Sequence, residues 1–155
     1  LLRDVIADFD YDEDESDESL TDNETKHQRS VKYDYEFDFD EGLAVVKGVS
    51  EQVKAILEIL VGNAREAMPA GGKLTFKARN LGERVELRVT DCGPGISEGI
   101  RERIFEFGFS TKKGTGFGLP LAQYYAGNNG GDLKLDASQP GQGATFILLL
   151  RADLS

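Results

Sequence analysis

Two stretches of this 155-residue chain hold residue types suited to chemistry. The first is Asp91-Cys92-Gly93-Pro94-Gly95-Ile96, a carboxylate followed by a turn through glycines. The carboxylate can accept a hydrogen bond from an exocyclic amine, and glycines at 93 and 95 permit positive φ and close approach. The second is Gly114-Thr115-Gly116-Phe117-Gly118-Leu119, a glycine-rich loop running into an expected helix. Its backbone N–H groups and the helix start favour an anion. It lacks the Gly-Lys-Ser/Thr of a Walker loop and the setting of a dinucleotide fingerprint. Lys112 and Lys113 stand beside it, either to neutralise phosphate or as solvated loop lysines. Asn63 lies in an otherwise apolar run, where an amide needs a partner. It reads equally as a hard oxygen ligand for Mg²⁺ or as a helix-interior amide bonded to backbone.

The elements that position these groups follow from periodicity. Residues 31–39 alternate apolar and polar side chains, which predicts a half-buried strand, and 43–47 a second. Ser50 is the expected cap of a helix through Val53, Ile56, Leu57, Leu60 and Ala64. That helix should end near Met68, because Pro69 disfavours helical geometry in the residue before it. Residues 73–79 and 84–90 read as a hairpin whose second strand delivers Asp91, with Val85, Leu87 and Val89 on one face. Ser97 is expected to cap a short helix to about residue 105. Pro120 suits the first turn of a helix to about residue 128. Residues 133–137 and 144–150 read as two closing strands. At the start, Leu1, Leu2, Val5, Ile6 and Phe9 share one helical face. That helix packs on this domain or is the tail of one whose partner lies elsewhere. Residues 10–23 are dominated by Asp, Glu and Ser and read as a flexible linker.

Composition narrows the function classes. The formal net charge is -10, which argues against nucleic acid as a partner and against direct contact with an anionic membrane. No apolar run approaches the roughly 18 residues that span a bilayer. One cysteine and one histidine make a Cys-His catalytic pair a poor choice, and His27 reads as a solvated loop residue. The first residue is not Met, as expected of a piece of a longer protein.

The ordered set of stretches resembles the GHKL (Bergerat-fold) ATP-binding domains, and within them the catalytic domain of sensor histidine kinases. The run ending Asn63-Ala64-Arg65-Glu66-Ala67-Met68-Pro69 looks like the N box, and Asp91 to Ile96 the G1 box. Ile104-Phe105-Glu106-Phe107-Gly108-Phe109-Ser110-Thr111-Lys112 looks like the F box, and Gly114 to Leu119 the G2 box. Gly141-Gln142-Gly143-Ala144-Thr145-Phe146 resembles the closing hairpin.

The resemblance implies a two-layer α/β sandwich. A mixed, mostly antiparallel sheet would be covered on one face by helices, with a mobile ATP lid over residues 105–118. It implies ATP and Mg²⁺ as ligands. Asn63 would bind the metal and serve catalysis, and Asp91 would read the adenine amine. Gly93 and Gly95 would shape the base end, and Thr145 would lie near the base through water. Lys112, Gly116, Gly118 and Leu119 would approach the phosphates or seat the lid. Glu66, Ile96, Phe105, Thr111, Gly114, Thr115 and Phe117 complete the expected nucleotide contacts.

In the hydrolysing branches of the family a Glu one turn before the Asn activates water. Ile59 holds that position here, and Glu58 is turned about 100° away, so it is expected to point elsewhere. Phosphoryl transfer is therefore the expected activity. Its acceptor would be a histidine outside the chain, on a dimerisation domain, with a response-regulator receiver domain downstream. The resemblance places residues 1–30 as the end of an upstream dimerisation helix plus acidic linker, and 31–155 as the ATP-binding domain. It implies a cytoplasmic location and a homodimer only in the full-length protein, which itself is open to membrane anchoring. The alternative is a degenerate kinase or nucleotide-binding regulatory module acting by protein contact.

Overall fold

The computed structural model describes residues 1–15, 31–110, 116–136 and 141–155, with side chains described from residue 1 to 8 in the first of these spans. The acidic stretch beyond residue 15 and His27 lie outside the described residues.

The elements are helix α1 (Leu2–Glu15), strands β1 (Tyr33–Phe39) and β2 (Val46–Lys47), and helix α2 (Ser50–Ala67). Strands β3 (Gly72–Leu81) and β4 (Arg84–Thr90), helix α3 (Gly118–Asn128), and strands β5 (Asp132–Leu135) and β6 (Thr145–Ala152) follow. β1 pairs parallel to β3, while β3–β4, β4–β6, β5–β6 and β2–β6 are antiparallel. The sheet is mixed and mostly antiparallel, in the order β1-β3-β4-β6-β2, with β5 beside β2 on the same edge of β6.

Alternation decides which side of the sheet the helices cover. Phe37, Phe76, Val89, Phe146 and Leu135 form one row across the sheet by register. A second row holds Phe39, Ala78, Leu87, Leu148 and Leu133. α2 and α3 pack on this face through Ile56, Leu60, Ala64, Ala122 and Ala126. The opposite face carries Lys77, Arg79, Glu86, Arg88 and Lys134, as a period of two requires. Two layers over one core follow.

The core end of α2 is fastened to α3 by Asn129, which is buried. Its Oδ1 accepts the Val49 amide at 2.7 Å, and its amide donates to Gln52 Oε1 at 2.9 Å and the Tyr125 carbonyl at 2.8 Å. The expected cap Ser50 is instead the first helical residue, and Val49 stands at the cap without a side-chain bond of its own. A residue 80 positions away does the capping.

α1 packs on this domain. Val5 and Ile6 are buried in the core cluster, Arg3 stacks 4.5 Å from the Phe37 ring centre, and Asp8 pairs with Lys54 at 3.6 Å. It extends to Glu15, beyond the point where the composition turns acidic. Among the described residues no helix is long and apolar enough to cross a membrane.

Candidate nucleotide site

α2 presents Ile59, Gly62, Asn63, Glu66 and Ala67 to a cleft of about 440 Å³. Their spacing of three and four residues puts them on one helical face. The opposite wall holds Asp91, Pro94, Gly95 and Ile96, with Ile100, Ile104, Phe109 and Ser110 beyond. Gly116, Gly118, Leu119 and Pro120 close the end where α3 begins, and Ala144 closes the floor. A cleft of this size, largely apolar with a few convergent polar groups, suits a small-molecule ligand.

Asp91 is the fixed point. It follows the last residue of β4 and is 4% exposed. Its backbone amide continues the ladder to the Ala144 carbonyl at 3.0 Å. Its Oδ1 accepts the Gly93 amide at 2.9 Å and the Ala144 amide at 3.2 Å. Amides that bond a carboxylate hold it in one orientation. Glycine is needed at 93 because a Cβ there would stand 2.8 Å from the Ala67 carbonyl oxygen. Gly143 has φ +77°, and a Cβ would overlap the Asp91 carbonyl.

The segment that was expected to be a short helix after Ser97 is a string of tighter turns. Ile100, Arg103, Glu106 and Phe109 each donate a backbone bond three residues back. Only Glu98–Ile100 forms a 3₁₀ turn, and Ser97 makes no capping bond. Ile104 is buried and Phe105 lies edge-on to Phe146 at 6.3 Å, so this stretch packs on the core through these two residues.

Of the residues singled out from the sequence, Asn63, Glu66, Asp91, Gly95, Ile96, Gly116, Gly118 and Leu119 line the cleft together. Thr111, Lys112, Gly114 and Thr115 lie outside the described residues. Gly93 stands behind Asp91 rather than in the lining. Phe105 packs on the core, and the half-exposed Phe117 tilts against Phe107 at 6.1 Å.

Thr145 is placed elsewhere. β6 begins there, so its side chain takes the face opposite Phe146, where its hydroxyl bonds Thr90 Oγ1 at 2.8 Å. The neighbour Ala144 faces the cleft instead, and the strand's alternation from Phe146 was the signal available for that choice. Glu58 also departs from expectation: it reaches the cleft rim, held by Lys54 at 3.8 Å. Its long side chain covers the angle that its Cα does not.

The described lining contains the carboxylates Glu58, Glu66 and Asp91 and no cationic side chain. A polyphosphate entering it would meet negative charge. Hard oxygen donors at Asn63 and Glu66 fit Mg²⁺, which uses one or two protein ligands and takes the rest from phosphate and water. Among the described residues no larger cluster of metal ligands exists.

A mixed sheet under helices, with an amide on α2 facing a buried carboxylate at the end of β4, defines a nucleotide-binding class of domain. The chain belongs to the family described as "Histidine kinase-, DNA gyrase B-, and HSP90-like ATPase", whose model matches residues 48–154. Membership implies an ATP site. The chain is 37% identical over 116 residues to "Sensor-like histidine kinase SenX3" of Mycolicibacterium smegmatis, covering 70% of this chain and 28% of that protein. It is 36% identical over 121 residues to "Sensor kinase CckA" of Brucella abortus, covering 66% of this chain and 12% of that protein. The solved catalytic domain of histidine kinase ThkA superposes with TM-score 0.76 at 26% identity, over 97% of this chain and 91% of that one. The chain thus spans well under a third of these two full-length relatives.

Proposed function

We propose that this chain is the Mg²⁺-ATP-binding catalytic domain of a sensor histidine kinase, passing the γ-phosphoryl group to a histidine outside it. The observation that carries the reading is the placement of Asp91 and Asn63 in one cleft with Gly116 and Gly118 at the α3 start. Asp91, held by two amides, accepts the adenine amine. Ile96, Ile104 and Ala144 supply apolar walls for the ring. Asn63, with Glu66 at the next turn, offers oxygen to Mg²⁺, which supplies charge neutralisation to the phosphates when bound. Gly116, Gly118 and Leu119 bring backbone N–H groups of the α3 N-terminus to the phosphate end. Thr111, Lys112, Gly114 and Thr115 join them there on the strength of the family's motifs. Phe105 and Phe117 seat the lid.

Ile59 faces the cleft one turn before Asn63 and carries no proton acceptor, so the position from which a base would activate water is apolar, with Glu58 at the rim and paired to Lys54. That favours transfer over hydrolysis. The histidine sits on a dimerisation domain upstream or in a partner chain, and a receiver domain takes the phosphoryl group onward. The setting is cytoplasmic, with dimerisation in the full-length protein. The same Ile59 supports a second reading, a regulatory module that binds nucleotide without transferring phosphate.

Titration calorimetry with ATP tests the first step. Binding should strengthen at least tenfold when Mg²⁺ replaces EDTA. ATP affinity indifferent to Mg²⁺ would sink the kinase reading. Labelled ATP plus the upstream histidine domain then separates the two: a phosphohistidine supports the kinase, bound but untransferred ATP the module.

A further inference from the structure

We propose that Tyr33 and Arg65 are positioning residues for the cleft. They fix the last turn of α2 and, through it, the separation between Asn63 and Asp91. The proposal rests on the nucleotide reading above.

Arg65 and Asn63 are two residues apart, about 200° around the helix. Asn63 faces the cleft and Arg65 faces β1. Arg65 is 7% exposed. Its guanidinium lies 4.3 Å from the Tyr33 ring centre and donates from Nη1 to the Tyr35 hydroxyl at 3.1 Å. The single Tyr33 hydroxyl proton in turn is shared between the carbonyls of Met68 at 3.0 Å and Arg65 at 3.2 Å. Carbonyls of a last helical turn have no intrahelical partner and must find one. α2 ends at Met68 with φ −125° and ψ 66°, not in the left-handed glycine geometry that commonly closes a helix. Both carbonyls also accept backbone amides, Met68 N–H onto Arg65 at 3.0 Å and Gly71 N–H onto Met68 at 2.9 Å, and the tyrosine adds a tie from another element.

The same turn touches the Asp91 loop. Met68 Sδ accepts the Cys92 amide at 3.3 Å, and Gly93 sits against the Ala67 carbonyl. The contacts run from Tyr33 and Arg65 through Met68 to Cys92, next to Asp91. Burying a guanidinium is expensive, and an apolar side chain of similar volume commonly serves stability as well. What the arginine adds is direction: a planar stack and a hydrogen bond that an apolar residue cannot supply.

The consequence is specific to a ligand that spans the cleft. ATP touches both the base end at Asp91 and the metal end at Asn63. Adenosine touches the base end alone. Loosening the last turn of α2 shifts one end relative to the other, so ATP senses it and adenosine does not.

The test is calorimetric titration of the whole chain and two variants with Mg²⁺-ATP and with adenosine, alongside thermal melting. Tyr33→Phe keeps the ring under Arg65 and removes the hydroxyl. It should weaken Mg²⁺-ATP binding about three- to tenfold, the worth of one or two hydrogen bonds, and leave adenosine within about twofold. Arg65→Lys keeps the charge and loses the stack and fork, and should show the same split, larger. Should Arg65→Lys fail to fold, Tyr33→Phe and Tyr35→Phe carry the test. Equal losses for both ligands, or none for either, would overturn the positioning role. A wild-type chain that binds neither ligand would sink the nucleotide reading itself, and this proposal with it.

Discussion

At the residue scale, one carboxylate sets the character of the site. Asp91 is buried where the Gly93 and Ala144 amides bond its Oδ1, so the carboxylate is oriented before any ligand arrives. Asp91→Asn forces a side-chain amide toward the Gly93 and Ala144 N–H groups or swaps the acceptor out of the cleft. ATP affinity should fall at least tenfold in equilibrium titration with little change in melting temperature; unchanged affinity would refute the adenine role. Ile59 gives the converse prediction. It lines the cleft one turn from Asn63, so Ile59→Glu places a carboxylate where a water-activating base would stand. General bases contribute about 10²–10⁴-fold, and phosphate release from ATP should rise at least tenfold in the variant. No rise would mean that water does not reach the γ-phosphate in line from this wall.

At the element scale, α2 is the part that must not move, because its one face holds Asn63 and its others hold the core. Its two ends are fixed by residues from elsewhere: Asn129 at the start and Tyr33 at the finish. Asn129→Ala leaves the Val49 amide without its acceptor and removes two donated bonds. Loss of a buried hydrogen-bond partner costs about 1–3 kcal/mol, and denaturant unfolding should show a loss of unfolding free energy of that size, read from a lower midpoint at unchanged slope. α1 makes a smaller contact, through Val5 and Ile6. Val5→Asp should raise amide exchange in α1 and over 53–61 of α2 while the Asp91 loop keeps its protection. Exchange unchanged in α1 would show that its docking does not depend on Val5.

At the scale of the whole molecule, charge is spread unevenly. The chain is acidic overall, yet the open face of the sheet is stitched by Lys73–Glu36, Arg79–Asp38, and Arg88 with Glu86 and Asp136. Arg79 beside Asp38 holds that carboxyl below its ordinary 3.8, chiefly through the hydrogen bond. A carboxyl whose value is lowered by folding stabilises the fold above its unfolded value, and that contribution is lost as pH falls through the lowered one. Asp38→Asn should therefore reduce melting temperature at pH 7 and flatten its decline below about pH 4. Because the pair is solvent-exposed, the difference should shrink in 1 M salt. A wild-type acid limb identical to the variant's would remove Asp38 from the account.

Much was legible in the sequence because short-range rules decide it. Alternation in 33–39 and 84–90, the apolar spacing of α2, and Pro120 near the start of α3 each report local geometry. The ordered glycine and carboxylate motifs marked the family and most of the cleft lining. What the sequence left open depends on residues far apart in the chain. It did not show that Asn129 rather than Ser50 closes the start of α2, since that bond joins positions 80 apart. Nor did it show that Thr145 turns away and Ala144 turns in, because one residue of strand register reverses every side chain. Nor did it show the turns after Ser97, whose Ile104 and Phe105 join a core that only the assembled sheet creates. Sequence marked the stretches that border the cleft. Tertiary packing decided which of them face it, since facing is set by register, helix ends and contacts between distant segments.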